Sequence, residues 1–192
     1  MKTVGVLALQ GDFEAHGRAL ERAGARPRYV RTAAELDGLD GLVIPGGEST
    51  TMLKLLRAEA LLAPLAEFGR RKPVFGTCAG AILLASEVSN PAQESLGLMD
   101  ISVERNAYGR QIDSRVARIT PAPPFFSRTH GGELEAVFIR APIIRKLGDG
   151  ARVLATYEEA PVLVEQGPHL VATFHPELTT DLRVHTLFVS KL

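Results

Sequence analysis

Short apolar runs alternate with segments of helical period through the first half of this chain, and that alternation restricts it to one kind of architecture. Residues 4–9 read as a buried strand that Gly11 and Asp12 interrupt; Phe13, His16, Leu20 and Ala23 then recur at helical spacing, with Asp12 as N-cap. Residues 28–30 give a short second strand, and residues 42–44 a third that Pro45, Gly46 and Gly47 terminate. A helix from about Ser49, with Met52, Leu53, Leu55 and Leu56 on its apolar face, is followed by a second helix ending before Lys72. The chain then returns to a fourth strand at 73–75, and residues 79–85, rich in alanine and leucine, form a buried helix directly behind Cys78. Strand, crossover helix and strand in succession build a parallel sheet with helices on its faces, so the fold class is α/β.

The second half is strand-rich. Residues 101–105, 116–119, 134–140, 153–157, 162–165 and 170–174 are strand-like, residues 120–126 with prolines at 121, 123 and 124 read as an exposed loop, and residues 181–189 close the chain as a helix. The central sheet is therefore mixed but mostly parallel. No repeat, low-complexity tract or long linker divides the 192 residues, which are read as a single domain spanning 1–192.

Composition narrows the function. Lysine plus arginine number 22 and aspartate plus glutamate 22, so no surplus charge exists to hold a nucleic acid backbone or an anionic membrane surface. No apolar run approaches the roughly 20 residues needed to span a bilayer, and the N-terminus lacks a signal-like cleavage site, which together favour a cytoplasmic protein. The one cysteine, Cys78, excludes an internal disulfide and a multi-thiolate metal site.

A lone cysteine is as readily a buried structural thiol as a reactive one. Here it lies in Gly76-Thr77-Cys78-Ala79-Gly80, a Gly-x-nucleophile-x-Gly pattern in which the central residue occupies a tight strand-to-helix turn and the glycines remove clashing side chains. The helix behind it directs backbone N–H groups and a positive dipole end toward the sulfur, favouring thiolate. The N–H of Ala79 is placed to meet an oxyanion, and the loop Pro45-Gly46-Gly47-Glu48-Ser49 ends another strand at the same sheet edge, where ligands bind in open α/β folds.

Of the five histidines, at 16, 130, 169, 175 and 185, only His175 ends an apolar strand with an acid close behind it. In extended chain, residues two apart share a face, so Glu177 can reach the His175 imidazole and hold its tautomer. Cys78, His175 and Glu177 thus form a candidate catalytic triad for acyl transfer.

These residues resemble the class I, triad-type glutamine amidotransferases, and within them the glutaminase subunits of pyridoxal 5'-phosphate synthase. The resemblance is carried by GVLALQGDFEAH at 5–16, LVIPGGESTTM at 42–52, PVFGTCAGAILLA at 73–85, ERNAYGRQID at 104–113, VFIRAP at 137–142 and FHPELT at 174–179. Tyr108 stands where the family pattern suggests phenylalanine. The resemblance implies a flavodoxin-like architecture and hydrolysis of glutamine to glutamate and ammonia through a Cys78 thioester. It also implies substrate binding by Gly46, Gly47, Glu48, Arg105, Ile139 and Arg140, an oxyanion hole from Gly47 and Ala79, and no metal or other cofactor. The implied partner is a TIM-barrel synthase subunit that consumes the ammonia within a large hetero-oligomer for vitamin B6 synthesis. The chain itself has no Gly-x-x-x-x-Gly-Lys-Ser/Thr loop for phosphate. Gln10 and Gly11, on the first loop at this edge, are expected to face the synthase or order the oxyanion hole.

Three other readings stay open at this point: the glutaminase of another synthase such as that of histidine biosynthesis, a non-catalytic module on the same fold, and a cysteine peptidase. The LQGDFEAH and RNAYGRQ segments weigh against the first, an intact triad against the second, and paired charges suited to a free amino acid against the third.

Overall fold

The computed structural model describes residues 1–106 and 114–192. The RNAYGRQ segment beyond Asn106, Tyr108 included, lies outside the described residues. In chain order the elements are β1 (Thr3–Leu7), α1 (Phe13–Arg22), β2 (Arg26–Val30), β3 (Gly41–Ile44), α2 (Ser49–Ala58), α3 (Leu62–Arg71), β4 (Val74–Thr77) and α4 (Ala79–Leu84). They continue as β5 (Ala85–Ser89), β6 (Met99–Glu104), β7 (Arg115–Ile119), α5 (Pro123–Thr129), β8 (Leu134–Phe138), β9 (Ile143–Leu147), β10 (Ala151–Tyr157), β11 (Ala160–Gln166), β12 (His169–Ala172) and α6 (Arg183–Val189). Short 3-10 turns cover Ala33–Leu36 and Pro176–Leu178.

A seven-stranded sheet in the order β10-β11-β12-β4-β3-β1-β2 forms the centre. The strands from β2 to β12 run parallel, and β11 and β10 add an antiparallel edge. Alternate side chains feed two apolar clusters, one on each face: Leu42 and Ile44 of β3 join one, Val43 the other, and on β4 Val74 and Phe75 divide in the same way. Burial on both faces is why these strands read as continuous apolar runs and not as alternating patterns. The sheet has a three-stranded companion, β5-β6-β9, and a two-stranded ribbon, β7-β8. Among the described residues no helix is long and apolar enough to cross a membrane.

The expected elements recur with shifted ends. The second strand begins at Arg26, the last helix at Arg183, and the helix behind Cys78 stops at Leu84, where the chain turns directly into β5. Asp12 does precede α1, but its side chain makes no cap bond; its carbonyl accepts from the His16 N–H at 3.2 Å. The exposed loop expected at 120–126 is a correction: only its first part is irregular, because Pro123 and Pro124 open α5. Proline at the first helical positions forfeits no intrahelical bond and arrives with the required φ. The helix then buries Phe125 completely, a contribution of about 2–3 kcal/mol. Strands β5 and β9 carry no clear strand signal in sequence; both edge the small sheet and expose polar side chains such as Glu87 and Lys146, which dilutes their apolar pattern.

Candidate active site

The site collects at the carboxyl ends of β3, β4, β12 and β8. Strand β4 delivers Cys78 into the turn before α4, where its φ of 49° and ψ of −105° are unusual for a residue with a side chain. Neighbouring packing enforces that conformation. The Cys78 N–H donates to the Ala172 carbonyl at 2.9 Å, tying the turn to β12. The elbow also sits hard against β3: a Cβ on Gly80 would lie 2.0 Å from the Ile44 carbonyl oxygen, and one on Gly76 would lie 2.5 Å from the Gly80 carbonyl. Only glycine fits at either place.

His175 follows β12, and its backbone N–H donates to the Val137 carbonyl of β8 at 2.8 Å. Its Nδ1 lies 2.7 Å from Glu177 Oε1, and the Glu177 side chain is wholly buried. Burial lowers the basicity of the His175 imidazole, but hydrogen bonds to the Cys78 and Glu177 side chains and the charge of both outweigh it and lift the imidazole to about 10. The three residues predicted as a triad are thus brought together, with the His175 imidazole between the Cys78 thiol and the Glu177 carboxylate.

The β3 loop closes over them. Gly46 packs against both His175 and Cys78, and Gly47 has a φ of 137°, open only to glycine. The amide of Gln10 rests on Gly47 and donates through Nε2 to the Glu48 carbonyl at 2.7 Å. Glu48 caps α2, accepting from the backbone N–H groups of Thr50 and Thr51 at 2.9 and 2.7 Å and from the Thr51 hydroxyl at 2.7 Å. Desolvation opposes its ionisation, but these bonds prevail and hold the carboxyl down at about 2. Arg105 donates to Thr50 Oγ1 at 2.7 Å and lies 3.6 Å from Glu48 Oε1, so two of the expected substrate-binding charges are neighbours. Ile139, past the end of β8, offers its carbonyl to the Cys78 thiol at 3.7 Å, and Arg140 follows with a φ of 47° and an exposed side chain. Among the described residues no group of three or more His, Cys, Asp or Glu side chains is placed to hold a metal ion.

Two histidines outside the triad belong to its surroundings. His16 of α1 and His185 of α6 are fully buried behind Glu177, with His16 Nε2 3.3 Å from Glu177 Oε2. The signal for His16 was its place among Phe13, Leu20 and Ala23 on the inner face of α1, a polar ring on an apolar stripe. The remaining two serve the scaffold: His169 Nδ1 accepts the Val74 N–H at 3.2 Å, and His130 ends α5.

Known proteins are similar to this chain along its whole length. A pyridoxal 5'-phosphate synthase subunit PdxT of Solibacter usitatus is 70% identical over 192 residues, covering 100% of both chains. A protein of the same name from Koribacter versatilis is 55% identical over 186 residues, covering 97% of this chain and 93% of its own. A crystal structure described as that of a glutamine amidotransferase matches with a TM-score of 0.86 at 45% identity, covering 98% of this chain and 97% of its own. A family model spans residues 6–192, and the chain belongs to the SNO glutamine amidotransferase family.

Proposed function

We propose that residues 1–192 form one glutaminase domain, the ammonia-producing subunit of a pyridoxal 5'-phosphate synthase. The observation that carries this reading is the placement of the sole thiol, Cys78, in a strained turn beside a histidine whose far nitrogen is held by a buried carboxylate. The family and the PdxT relatives support the choice of glutamine as substrate and vitamin B6 synthesis as destination.

In this reaction the Cys78 sulfur attacks the side-chain amide carbon of glutamine, and the carbonyl oxygen becomes an oxyanion facing the N–H groups of Gly47 and Ala79. His175, charged beside Cys78 and oriented by Glu177, gives its proton to the departing nitrogen. Ammonia leaves and a thioester remains. The neutral His175 then takes a proton from water, the resulting hydroxide attacks the thioester, and glutamate is released as Cys78 is restored. Glutamine's α-carboxylate suits Arg105 and Arg140, its ammonium suits Glu48, and Ile139 supplies apolar contact and a backbone carbonyl. The ammonia passes to a TIM-barrel synthase subunit in a large hetero-oligomer. A reduced, nucleophilic cysteine accords with a cytoplasmic setting.

Glutamate release from glutamine, measured for this chain alone and with the synthase subunit, tests the proposal. A rise with that partner is expected. A rise only with the synthase of another pathway, such as histidine biosynthesis, would contradict it.

A further inference from the structure

Behind the triad lies a polar chain that the reaction as described does not use. Glu177 gives Oε1 to His175, whereas Oε2 is buried and has no hydrogen-bond partner. The group nearest to it in charge terms is His16, whose Nε2 lies 3.3 Å from Oε2 and 3.1 Å from the Thr77 hydroxyl. On its other side, His16 Nδ1 lies 3.0 Å from His185 Nε2. Both imidazoles are fully buried, and His185 Nδ1 has no partner.

One protonation pattern fits these contacts. A bare lone pair on His16 Nε2 would face the carboxylate, so the proton belongs on Nε2, where the Thr77 hydroxyl accepts it and Glu177 Oε2, 3.3 Å away, lies against its positive end without a hydrogen bond. Nδ1 is then an acceptor, and His185 Nε2–H donates to it. Desolvation, with the neighbouring charges of His185 and His175, keeps His16 far below its ordinary range, and desolvation takes His185 to about 4, so both are neutral near pH 7. A protonated His16 would pair fully with Glu177 and withdraw it from His175. A neutral one fixes the carboxylate and leaves its charge intact.

We propose that His16 is a positioning residue for Glu177: held through Nδ1 by His185 and through Nε2 by Thr77, its neutral imidazole sets the positive end of Nε2–H 3.3 Å from the inner carboxylate oxygen and so fixes the acid that orients His175. The titratable groups facing His16 are His185 from α6 and Glu177 and His175 from the segment after β12. The inference rests on the reading of Glu177 as the third member of a catalytic triad.

Two amide substitutions separate the ends of the ring. Glutamine places its N–H near the position of Nε2, and asparagine places a polar atom near that of Nδ1, so His16→Gln keeps the Glu177 side and His16→Asn keeps only the His185 side. Cys78 is the chain's single thiol, so its alkylation by iodoacetamide across pH reports the nucleophile–histidine pair without any need for glutamine turnover. Thermal melts of all three proteins show that each is folded over the range used. The midpoint of the alkylation profile should move upward by about one pH unit in His16→Asn and stay near the wild-type value in His16→Gln. Profiles that coincide for all three proteins, or that shift equally in both variants, would overturn the positioning role and reduce His16 to packing. A wild-type Cys78 that resists iodoacetamide at every pH would overturn the nucleophile reading as well, and the inference with it.

Discussion

Gly46 and His175 approach so closely that a Cβ on the glycine would stand 2.5 Å from His175 Cε1, and it would also lie 3.2 Å from the Cys78 Cβ. The β3 loop therefore sets where the imidazole sits, although the two stand 129 positions apart in sequence. Gly46→Ala should displace His175 from Glu177 and lower glutamine hydrolysis about a hundredfold, the usual result of a misplacement near 1 Å at a reacting group. Steady-state kinetics with a thermal melt checks this; a variant with wild-type kcat would show that the ring tolerates the intrusion.

His175 makes stability depend on pH in a defined direction. Its folded-state basicity is raised to about 10, above the value of about 6.5 expected in the unfolded chain, so protonation favours the native state. The contribution is complete below about pH 6.5 and is lost as pH rises toward 10. Compared with His175→Gln, the wild-type chain should be more stable by a few kcal/mol near pH 6, with the gap closing by about pH 10. Paired denaturant titrations across that range measure it, and a gap that widens with pH would reverse the assigned sign.

Gln10 pins the loop that carries Gly47. Its Nε2 donates to the Glu48 carbonyl, and its amide lies where a Gly47 side chain would be. Gln10→Ala should weaken activation by the synthase subunit several-fold, as loss of one hydrogen bond of about 1 kcal/mol allows. An unchanged activated rate in the glutamate-release assay would count against any role for this contact.

Much of this architecture is legible in sequence, for physical reasons. Strands β1, β3, β4 and β12 are buried on both faces, so their runs of Val, Leu, Ile and Phe stand out, and glycine marks the chain after β3 and β4 because a Cβ on Gly80 would strike the Ile44 carbonyl. His175 and Glu177 are two residues apart, close enough for local geometry to join them. Contacts that depend on distant packing were not legible in that way. Nothing local joins Arg105 to Thr50 or His16 to Glu177, and Arg105 and Arg140 were singled out by family resemblance alone. The prolines before Phe125 look like breakers in sequence because their position relative to a helix start depends on where the chain turns onto the core.

The central claim is that Cys78 is the nucleophile that forms the thioester. The measurement that bears on it most directly is glutamate release from glutamine by the Cys78→Ala chain assembled with its synthase subunit, beside the wild-type assembly. No other thiol exists in the chain, so the activated rate should fall by at least about a thousandfold, with the assembly intact by size-exclusion chromatography. An intact assembly that retains the wild-type rate would contradict the account.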